Sequence, residues 1–510
     1  MPAKKDASPI PLPLEDGTYK LHNDEPSIDE DLFDHQEAAT RLARQLATIS
    51  PPAVLGLHGD WGSGKTSFLN RVHKILTNQN RLKPSETYPD TPKNFKHCVV
   101  VWFEAWRYQH DETPVVALLN EMRAQFTWQE KFRKKLKHAS AIAFEAGIRS
   151  LDSLAGEIGK VAAVGRIGLV SNLREASADW KKENLAFTLP SQATRDLLNN
   201  AIESIIKELT TSIYPPRVIV IIDDLDRCQP FTAYKLMEGI KIFMGIPSCV
   251  FLLGINREEI VRSVAIGLRR DEGLDIHATL DAEKKVSHRA HEYLEKLCGH
   301  IEHLPMLGKQ QSVDFVSRLL QVNRVQTFEQ MPPEKQAIVR RLTDFQENLL
   351  PANPRRIKAF VNSVLDLLSR VPPTPDLPGP TRAGIMIFVA GLATFHPRLY
   401  RILVANPKFY IVLTQWCRGT TAAGTKAVLS HSERRLLASA CLPASDDDDL
   451  QALENQFSDS VAEGQRVFLS EMPMPFADPA SPEIFRLRHL LALEEFQNLP
   501  IPYLVPFLTH

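Results

Sequence analysis

The residues best suited to chemistry lie in a glycine-rich stretch near the start of the chain, HGDWGSGKTS, residues 58–67. Gly59, Gly64, Lys65 and Thr66 match the spacing G-x-x-x-x-G-K-[S/T]. Glycines let backbone N–H groups converge on phosphate oxygens, and a helix that follows them adds the positive end of its dipole. The spacing therefore predicts a phosphate-binding loop.

The expected chemistry of this loop is the binding of a nucleoside triphosphate. Lys65 should reach the β- and γ-phosphates, and the hydroxyl of Thr66 should help to hold Mg²⁺. The pattern requires a strand before it and a helix after it, and AVLGL (53–57) and TSFLNRVHKIL (66–76) predict both. The loop residues expected to contact the nucleotide are Gly59, Asp60, Trp61, Gly62, Ser63, Gly64, Lys65, Thr66 and Ser67.

Two carboxylates at the end of an apolar run supply what hydrolysis needs in addition. The run RVIVIIDDLD (217–226) is the most strand-like in the sequence and contains Asp223 and Asp224. Asp223 is expected at the sheet edge, where it binds Mg²⁺ through water. Asp224 is expected to polarise the attacking water as a general base. The alternative is that these acids cap the next helix, a role that suits Asp226.

Three further polar residues are candidates for sensing the γ-phosphate. Asn256 ends the apolar run SCVFLLGIN, and such a residue lies near the γ-phosphate in P-loop enzymes of the additional-strand class; an ordinary turn residue is the alternative. Arg355 and Arg356 follow Asn-Pro at the start of a predicted helix, 353–362. From there an arginine can reach the nucleotide phosphates, although a solvated basic helix start is equally consistent with the pattern.

The elements that must position these residues alternate between strands and helices up to about residue 264. Alternation of this kind predicts an α/β fold with a parallel sheet. Together with the phosphate-binding loop, it predicts a three-layer P-loop NTPase core. After it the pattern is helical, with a proline-rich break at 372–380 and a polar break at 443–449. We predict a flexible tail (1–33), an NTPase core (34–270) with a helical insertion (about 125–190), a helical part of the NTPase module (271–371) and a helical extension (381–510).

The composition is that of an ordinary globular protein, with 44% hydrophobic and 24% charged residues among 510. A formal net charge of -1 gives no overall attraction to nucleic acid or anionic lipid. The six cysteines are scattered without a CxxC pair, which argues against a disulfide framework or a cysteine-rich zinc site. The start of the sequence does not resemble a signal peptide, and no apolar run reaches the roughly 18 residues of a membrane span. We therefore expect a cytoplasmic location.

Two other clusters have simple explanations. His288, His291, His300 and His303 form two HxxH pairs, but no carboxylate-rich partner motif accompanies them, and an amphipathic helix explains them better than a metal site. The basic run KFRKKLK (131–137) is expected to be a solvated helix face rather than a site for phosphate or lipid head groups.

Taken together, the motifs resemble the KAP family of P-loop NTPases. The resemblance spans about residues 34–370, and it is carried in order by GLHGDWGSGKTSFLN, VWFEAWRYQHDETPVVALLNEM, VIVIIDDLDRCQP, FLLGINREEI, YLEKL…LP and NPRRIKAFVN. It implies an ATPase of the additional-strand class with a C-terminal helical portion, and ATP and Mg²⁺ as cofactors. It also implies nucleotide roles for Lys65, Thr66, Asp223 and Asp224.

The sequence departs from the family pattern in two places. Family members often have Asp at the position of Asn256. Many also insert a transmembrane hairpin between the two nucleotide motifs, where this chain has an Ala/Gly-rich segment, about 125–190, that is charged every few residues. We interpret that segment as a soluble helical insertion, with peripheral docking on a membrane as the alternative. The family string DDLDR also contains Arg227, for which the resemblance implies a charge relay or an action on a neighbouring subunit.

The leading hypothesis is an ATP-hydrolysing switch that binds a protein partner, or a second copy of itself, through its helical regions. The resemblance implies a role in bacterial defence against phage or mobile DNA. The alternative is a nucleotide-binding scaffold, or a tether at a membrane surface, with little turnover. Nucleic acid is not indicated as a partner, because the net charge is near zero and helicase-like aromatic or basic motifs are missing.

Overall fold

The computed structural model describes seven ranges of the chain and a few single residues. The residues described are 35–77, 97–132, 215–272, 280–321, 327–344, 350–411 and 499–508, except 112, 113, 244, 245 and 247, together with the single residues 22, 33, 95, 200, 414 and 496. Most of the predicted insertion, most of the basic run 131–137 and the polar break at 443–449 lie outside the described residues. So does the predicted tail, except at His22 and Phe33.

The first compact unit, Pro26–Pro305, is built on a parallel sheet. Its described strands are Ala53–His58 (β1), Cys98–Glu104 (β2), Arg217–Asp223 (β3), Cys249–Ile255 (β4) and His300–His303 (β5). They pair in the order β2-β3-β4-β1-β5, and every pairing is parallel. Every residue of β3 and β4 is buried, as expected for a sheet covered on both faces. The predicted α/β class with a parallel sheet is confirmed.

Helices cover both faces of this sheet. Their bounds are Gln36–Thr48 (α1), Lys65–Thr77 (α2), Pro114–Phe132 (α3), Pro230–Phe243 (α4), Arg257–Glu272 (α5) and Leu280–Leu297 (α6). Along β3 the side chains alternate between two cores, since Val220 and Ile222 pack with residues of α3 to α6, whereas Ile219 and Ile221 pack with residues of α1 and α2. The core therefore has three layers.

The edge strand β5 differs from the sequence interpretation, which explained His300 and His303 by an amphipathic helix. Helix α6 ends at Leu297, and the chain then forms β5, in which His303 lies opposite His58 of β1. The strand lies at the edge of the sheet and has only four residues. Three of the four are polar, so no apolar run in the sequence predicts it. Its position is nevertheless important, because it lies beside the strand that leads into the phosphate-binding loop.

The second compact unit comprises Met1–Glu25 and Met306–His510, and its described elements are helical. They are Lys309–Leu320 (α7), the 3₁₀ helix Phe328–Gln330, Pro333–Asp344 (α8), Pro354–Arg370 (α9), Gly379–Phe395 (α10), Pro397–Ala405 (α11) and Ile501–Leu508 (α12). Helix α10 is buried almost all round and packs against α8, α9, α11 and α12, which makes it the central helix of this unit. Its one charged residue, Arg382, is buried and pairs with Glu334.

A search of the described residues for membrane spans finds no single helix with the necessary length and hydropathy. Helix α10 and residues 399–405 pass the same test only as a pair, and that pair is bent by 120°.

Candidate functional site

The glycine-rich loop joins β1 to α2 at the carboxyl edge of the sheet. Gly62 and Gly64 have φ angles of 77° and 99°, in the region where glycine alone is unstrained. Ser63 N donates to Asp60 O at 3.1 Å and closes a turn between them. Helix α2 begins at Lys65, so its unpaired N-terminal amides face the loop. Left-handed glycines followed by a helix N-terminus form an anion-binding arrangement.

Gly59 is required for close packing rather than for its backbone angles. A Cβ atom at this position would lie 2.7 Å from Ser63 Oγ and 3.1 Å from Lys65 Cγ. Gly59 N also donates to Ile255 O at 3.2 Å, which ties the start of the loop to the end of β4. The first glycine of the motif thus lets the lysine side chain fold back under the loop.

The side chain of Lys65 is buried inside the loop that precedes it. Its Nζ donates to Gly59 O at 2.7 Å and to Asp60 O at 3.3 Å. Nζ also lies 3.0 Å from Asp226 Oδ2, and the two side chains are only 9% and 1% exposed. The amino group is therefore already placed in the loop, where phosphates would bind.

Asp223, the last residue of β3, has a carboxylate oxygen that suits a metal ion. The residue is 1% exposed, and its Oδ1 accepts no hydrogen bond from any described residue. Burial, followed by the charge of Asp224, raises the pKa of Asp223 to about 6, while a hydrogen bond from the Thr66 hydroxyl acts in the opposite direction. A buried carboxylate oxygen without a donor is a suitable ligand for a divalent cation.

The space around this carboxylate is kept open by Gly254 of β4. A Cβ atom there would lie 3.2 Å from Asp223 Oδ1 and 2.6 Å from Leu69 Cδ1. Asp223 and Thr66 thus offer oxygen atoms that suit Mg²⁺, and their binding of the ion stays a prediction. Among the described residues no three His, Cys, Asp or Glu side chains form a metal-binding group.

Asp224, the predicted base, has an unusual backbone and a fixed side chain. Its φ of 56° and ψ of 27° are left-handed, a conformation that is strained for a residue with a Cβ atom. Its Oδ1 lies 2.9 Å from Arg227 Nε. Burial raises the pKa of Asp224, while Arg227 lowers it. Arg227 thus holds the Asp224 carboxylate at the end of β3, a contact that was not predicted from the sequence.

Asp226 is a site residue that sequence reasoning assigned to another role. The expectation was a cap on the following helix, but α4 begins only at Pro230. Asp226 instead lies in the 3₁₀ helix Leu225–Arg227, buried against Lys65. The sequence DDLD contains a signal for this position. Asp226 is separated from Asp224 by a single leucine, so it lies too close to the end of β3 to cap α4.

Glu104 is the second residue that the sequence did not single out. It ends β2, directly opposite Asp223 in the register of the sheet, and its charge contributes to the raised pKa of Asp224. It forms an ion pair with Arg107, which lies in the 3₁₀ helix Ala105–Tyr108. The available signal was its position as an acid at the end of an apolar run, the criterion that identified Asp223.

Asn256 caps a helix in the structure. Its Oδ1 accepts hydrogen bonds from Glu258 N at 3.1 Å and Glu259 N at 3.4 Å, at the start of α5. Beside it, Arg257 N donates to His58 Nδ1 at 3.1 Å. The side-chain oxygen of Asn256 is therefore used in the cap, and a role toward the γ-phosphate stays a prediction.

Arg355 and Arg356 lie in the first turn of α9, as the Asn-Pro signal predicted. The Asn353 side chain caps this helix by accepting a hydrogen bond from Arg356 N at 3.2 Å. The guanidinium of Arg356 lies over the Phe395 ring, 4.9 Å from its centroid. Both arginines belong to the second compact unit, and their contact with a nucleotide stays a prediction.

The two histidine pairs do not share one helix. His288 and His291 lie on α6, whereas His300 and His303 lie on β5. Residues three apart in a strand point to opposite faces of the sheet, so the second pair does not converge on one ion.

Comparison with known families gives a match to the KAP family P-loop domain over residues 36–370, well over half of the chain. The matched segment begins with α1 and ends with α9, and it contains the loop, Asp223 and Asp224. Among curated proteins, none matches the chain. The family match agrees with the sheet and with the loop geometry, and the chain belongs to the KAP family of P-loop NTPases.

Proposed function

We propose that this protein binds ATP with Mg²⁺, hydrolyses it to ADP and phosphate, and acts as a nucleotide-dependent switch. Membership of a P-loop NTPase family supports nucleotide binding. The observation that carries the proposal of a Mg²⁺-dependent hydrolase is the buried Asp223 Oδ1, which has no hydrogen-bond donor among the described residues and which a Cβ atom at Gly254 would approach to 3.2 Å.

Each residue of the site has a distinct role in this proposal. The loop amides and Lys65 bind and orient the β- and γ-phosphates. Thr66 and Asp223 hold the Mg²⁺ ion, which when bound neutralises charge that develops on the phosphate oxygens. Burial of Asp223 next to Asp224 disfavours two negative charges there in the absence of a cation, which favours binding of the ion.

Asp224 is proposed to accept a proton from the attacking water. Its pKa is raised by burial, which makes its carboxylate a stronger base near neutral pH. The ion pair with Arg227 orients the carboxylate at the end of β3. Arg355 and Arg356 are proposed to sense loss of the γ-phosphate from the helical unit.

The wider biological role is proposed from the family resemblance and the composition. Nucleotide state would alter the helical regions, through which the protein binds a partner or a second copy of itself. A function in bacterial defence against phage or mobile DNA and a cytoplasmic location belong to the same proposal, with contact to a membrane only at its surface.

The proposal is tested by measuring ATP binding and phosphate release with wild-type protein and two variants, with Mg²⁺ and with a chelator. Lys65→Ala should lose binding, since it removes the phosphate ligand. Asp224→Asn should retain binding but lose phosphate release. If the wild type binds ATP yet releases no phosphate with Mg²⁺, the nucleotide-binding scaffold replaces the enzyme as the better account.

A further inference from the structure

We infer that Asp226 occupies the place of a nucleotide phosphate on Lys65, and that nucleotide binding must displace it. This inference rests on the proposed function, because it concerns how the same site changes when it is filled. It assigns to Asp226 the role of a positioning residue that acts through Lys65.

The ammonium group of Lys65 lies among oxygen atoms of the loop and of Asp226. An ammonium group has three N–H donors, and Nζ has three close oxygens: Gly59 O, Asp60 O and Asp226 Oδ2, at 2.7, 3.3 and 3.0 Å. A phosphate that binds in the loop needs at least one of these positions. Since aligned hydrogen bonds go only to Gly59 O and Asp60 O, the contact that a phosphate would exchange is the charge contact with Asp226.

Asp226 is the neighbour of Lys65 that a phosphate can replace. Gly59 O and Asp60 O belong to the loop itself and are held by its turn, from Asp60 O to Ser63 N. Asp226 Oδ2 lies within ion-pair distance of Nζ but makes no aligned hydrogen bond with any described residue. It is therefore held by charge, and a phosphate brings competing negative charge to the same ammonium group.

Displacement from Lys65 would change the position of Asp226. Its side chain is 1% exposed, and a buried carboxylate without its cation is strongly destabilised. The 3₁₀ helix Leu225–Arg227 that carries it is held by long hydrogen bonds, from Arg227 N to Asp224 O at 3.2 Å and from Cys228 N to Leu225 O at 3.3 Å. We therefore expect this helix to move when Lys65 changes partner.

A movement of this helix would shift Asp224, the proposed base. Asp226 lies between Asp224 and Arg227, which are paired with each other. Arrival of the nucleotide at Lys65 would thus be transmitted over two residues to the group proposed to activate water. The contact between Asp226 and Lys65 would keep the base in its nucleotide-free position until phosphate replaces the carboxylate.

The test is the affinity for ADP in the presence of a chelator, so that no metal ion contributes. Asp226→Asn keeps the size of the side chain but removes the charge that competes with phosphate, and it should bind ADP about fivefold or more tightly than the wild type. Asp224→Asn is the matched control, since it removes the same charge two residues away without contacting Lys65. Its affinity should change clearly less.

Hydrogen exchange of the wild type provides a second readout that does not depend on a variant that folds. Addition of ADP should speed exchange in the peptide that contains Arg227 N and Cys228 N, while the glycine-rich loop becomes protected. Unchanged or weaker ADP binding by folded Asp226→Asn, equal effects of the two variants, or protection of that peptide would each overturn the inference. Failure of wild type and variant alike to bind ADP would refute the proposed function as well.

Discussion

Replacement of Asp223 by Asn should stabilise the nucleotide-free protein while it removes a metal ligand. The carboxylate is buried at the end of β3, and burial followed by the charge of Asp224 raises its pKa from 3.8 to about 6. A raised pKa means that the folded state binds its proton more tightly than the unfolded state does. At pH 7.5 the ionised Asp223 therefore opposes folding.

The magnitude follows from the two pKa values. A difference of about two units at about 1.4 kcal/mol per unit gives about 3 kcal/mol above pH 6. This penalty is present in full above the folded pKa, falls to about half near pH 5 and is nearly absent below the unfolded pKa. The free energy of unfolding of Asp223→Asn should exceed that of the wild type by up to this amount at pH 7.5, and the difference should shrink as the pH falls to 4.

Urea denaturation with a chelator present, followed by tryptophan fluorescence, measures this difference. Five of the six tryptophans lie in the unit Pro26–Pro305, so the signal reports mainly on the sheet. Glu302→Gln is a control of opposite sign: although burial raises the pKa of Glu302, hydrogen bonds from Arg41 and His300 lower it below its ordinary value. That variant should be less stable than the wild type. If Asp223→Asn were also less stable at pH 7.5, the description of Asp223 as a buried carboxylate in need of a cation would be wrong.

Three further predictions concern neighbouring contacts. Lys65→Ala should lower the free energy of unfolding by roughly 3–5 kcal/mol, because it leaves Asp226 buried without a cation. Adding Asp226→Asn to the same chain should restore most of the lost stability, and urea denaturation of the double variant that shows no recovery would contradict this prediction. Gly254→Ala places a Cβ atom 2.6 Å from Leu69 Cδ1 and crowds the Asp223 carboxylate, so it should lower the free energy of unfolding by about 1–3 kcal/mol. It should also weaken Mg²⁺-dependent ATP binding in a calorimetric titration, and unchanged binding would contradict a role of this carboxylate in holding the ion. Asn256→Ala should lower the free energy of unfolding by about 1 kcal/mol through loss of the α5 cap, whereas Asn256→Ser should retain most of the stability of the wild type. Equal thermal unfolding temperatures of the two variants would contradict the capping role.

The parts of the site that the sequence predicted are those in which neighbours along the chain determine the geometry. The loop residues lie between a strand and a helix whose own patterns are clear, so Gly64, Lys65 and Thr66 could be placed by spacing alone. Asp223 follows an apolar run, which fixes it at the carboxyl edge of a buried strand. In both cases the local pattern and the tertiary position agree.

The parts that the sequence did not predict depend on contacts between distant segments. Asp226 meets Lys65 only because the residues after β3 form a 3₁₀ helix and turn the carboxylate back toward the loop. Glu104 becomes relevant through the register of β2 against β3. The strand at His300–His303 exists because an edge of β1 is available for pairing, and its own residues carry no strand pattern.

We propose that one hydrolytic site contains Lys65, Thr66, Asp223 and Asp224. A single-turnover measurement of phosphate release from ATP, with wild-type and Asp224→Asn proteins in excess over nucleotide, tests it most directly. We expect release by the wild type that requires Mg²⁺, and a rate at least about a hundredfold lower for the variant, which should still bind ATP. Equal rates in the two proteins, or no release from wild-type protein that has bound ATP and Mg²⁺, would contradict the claim.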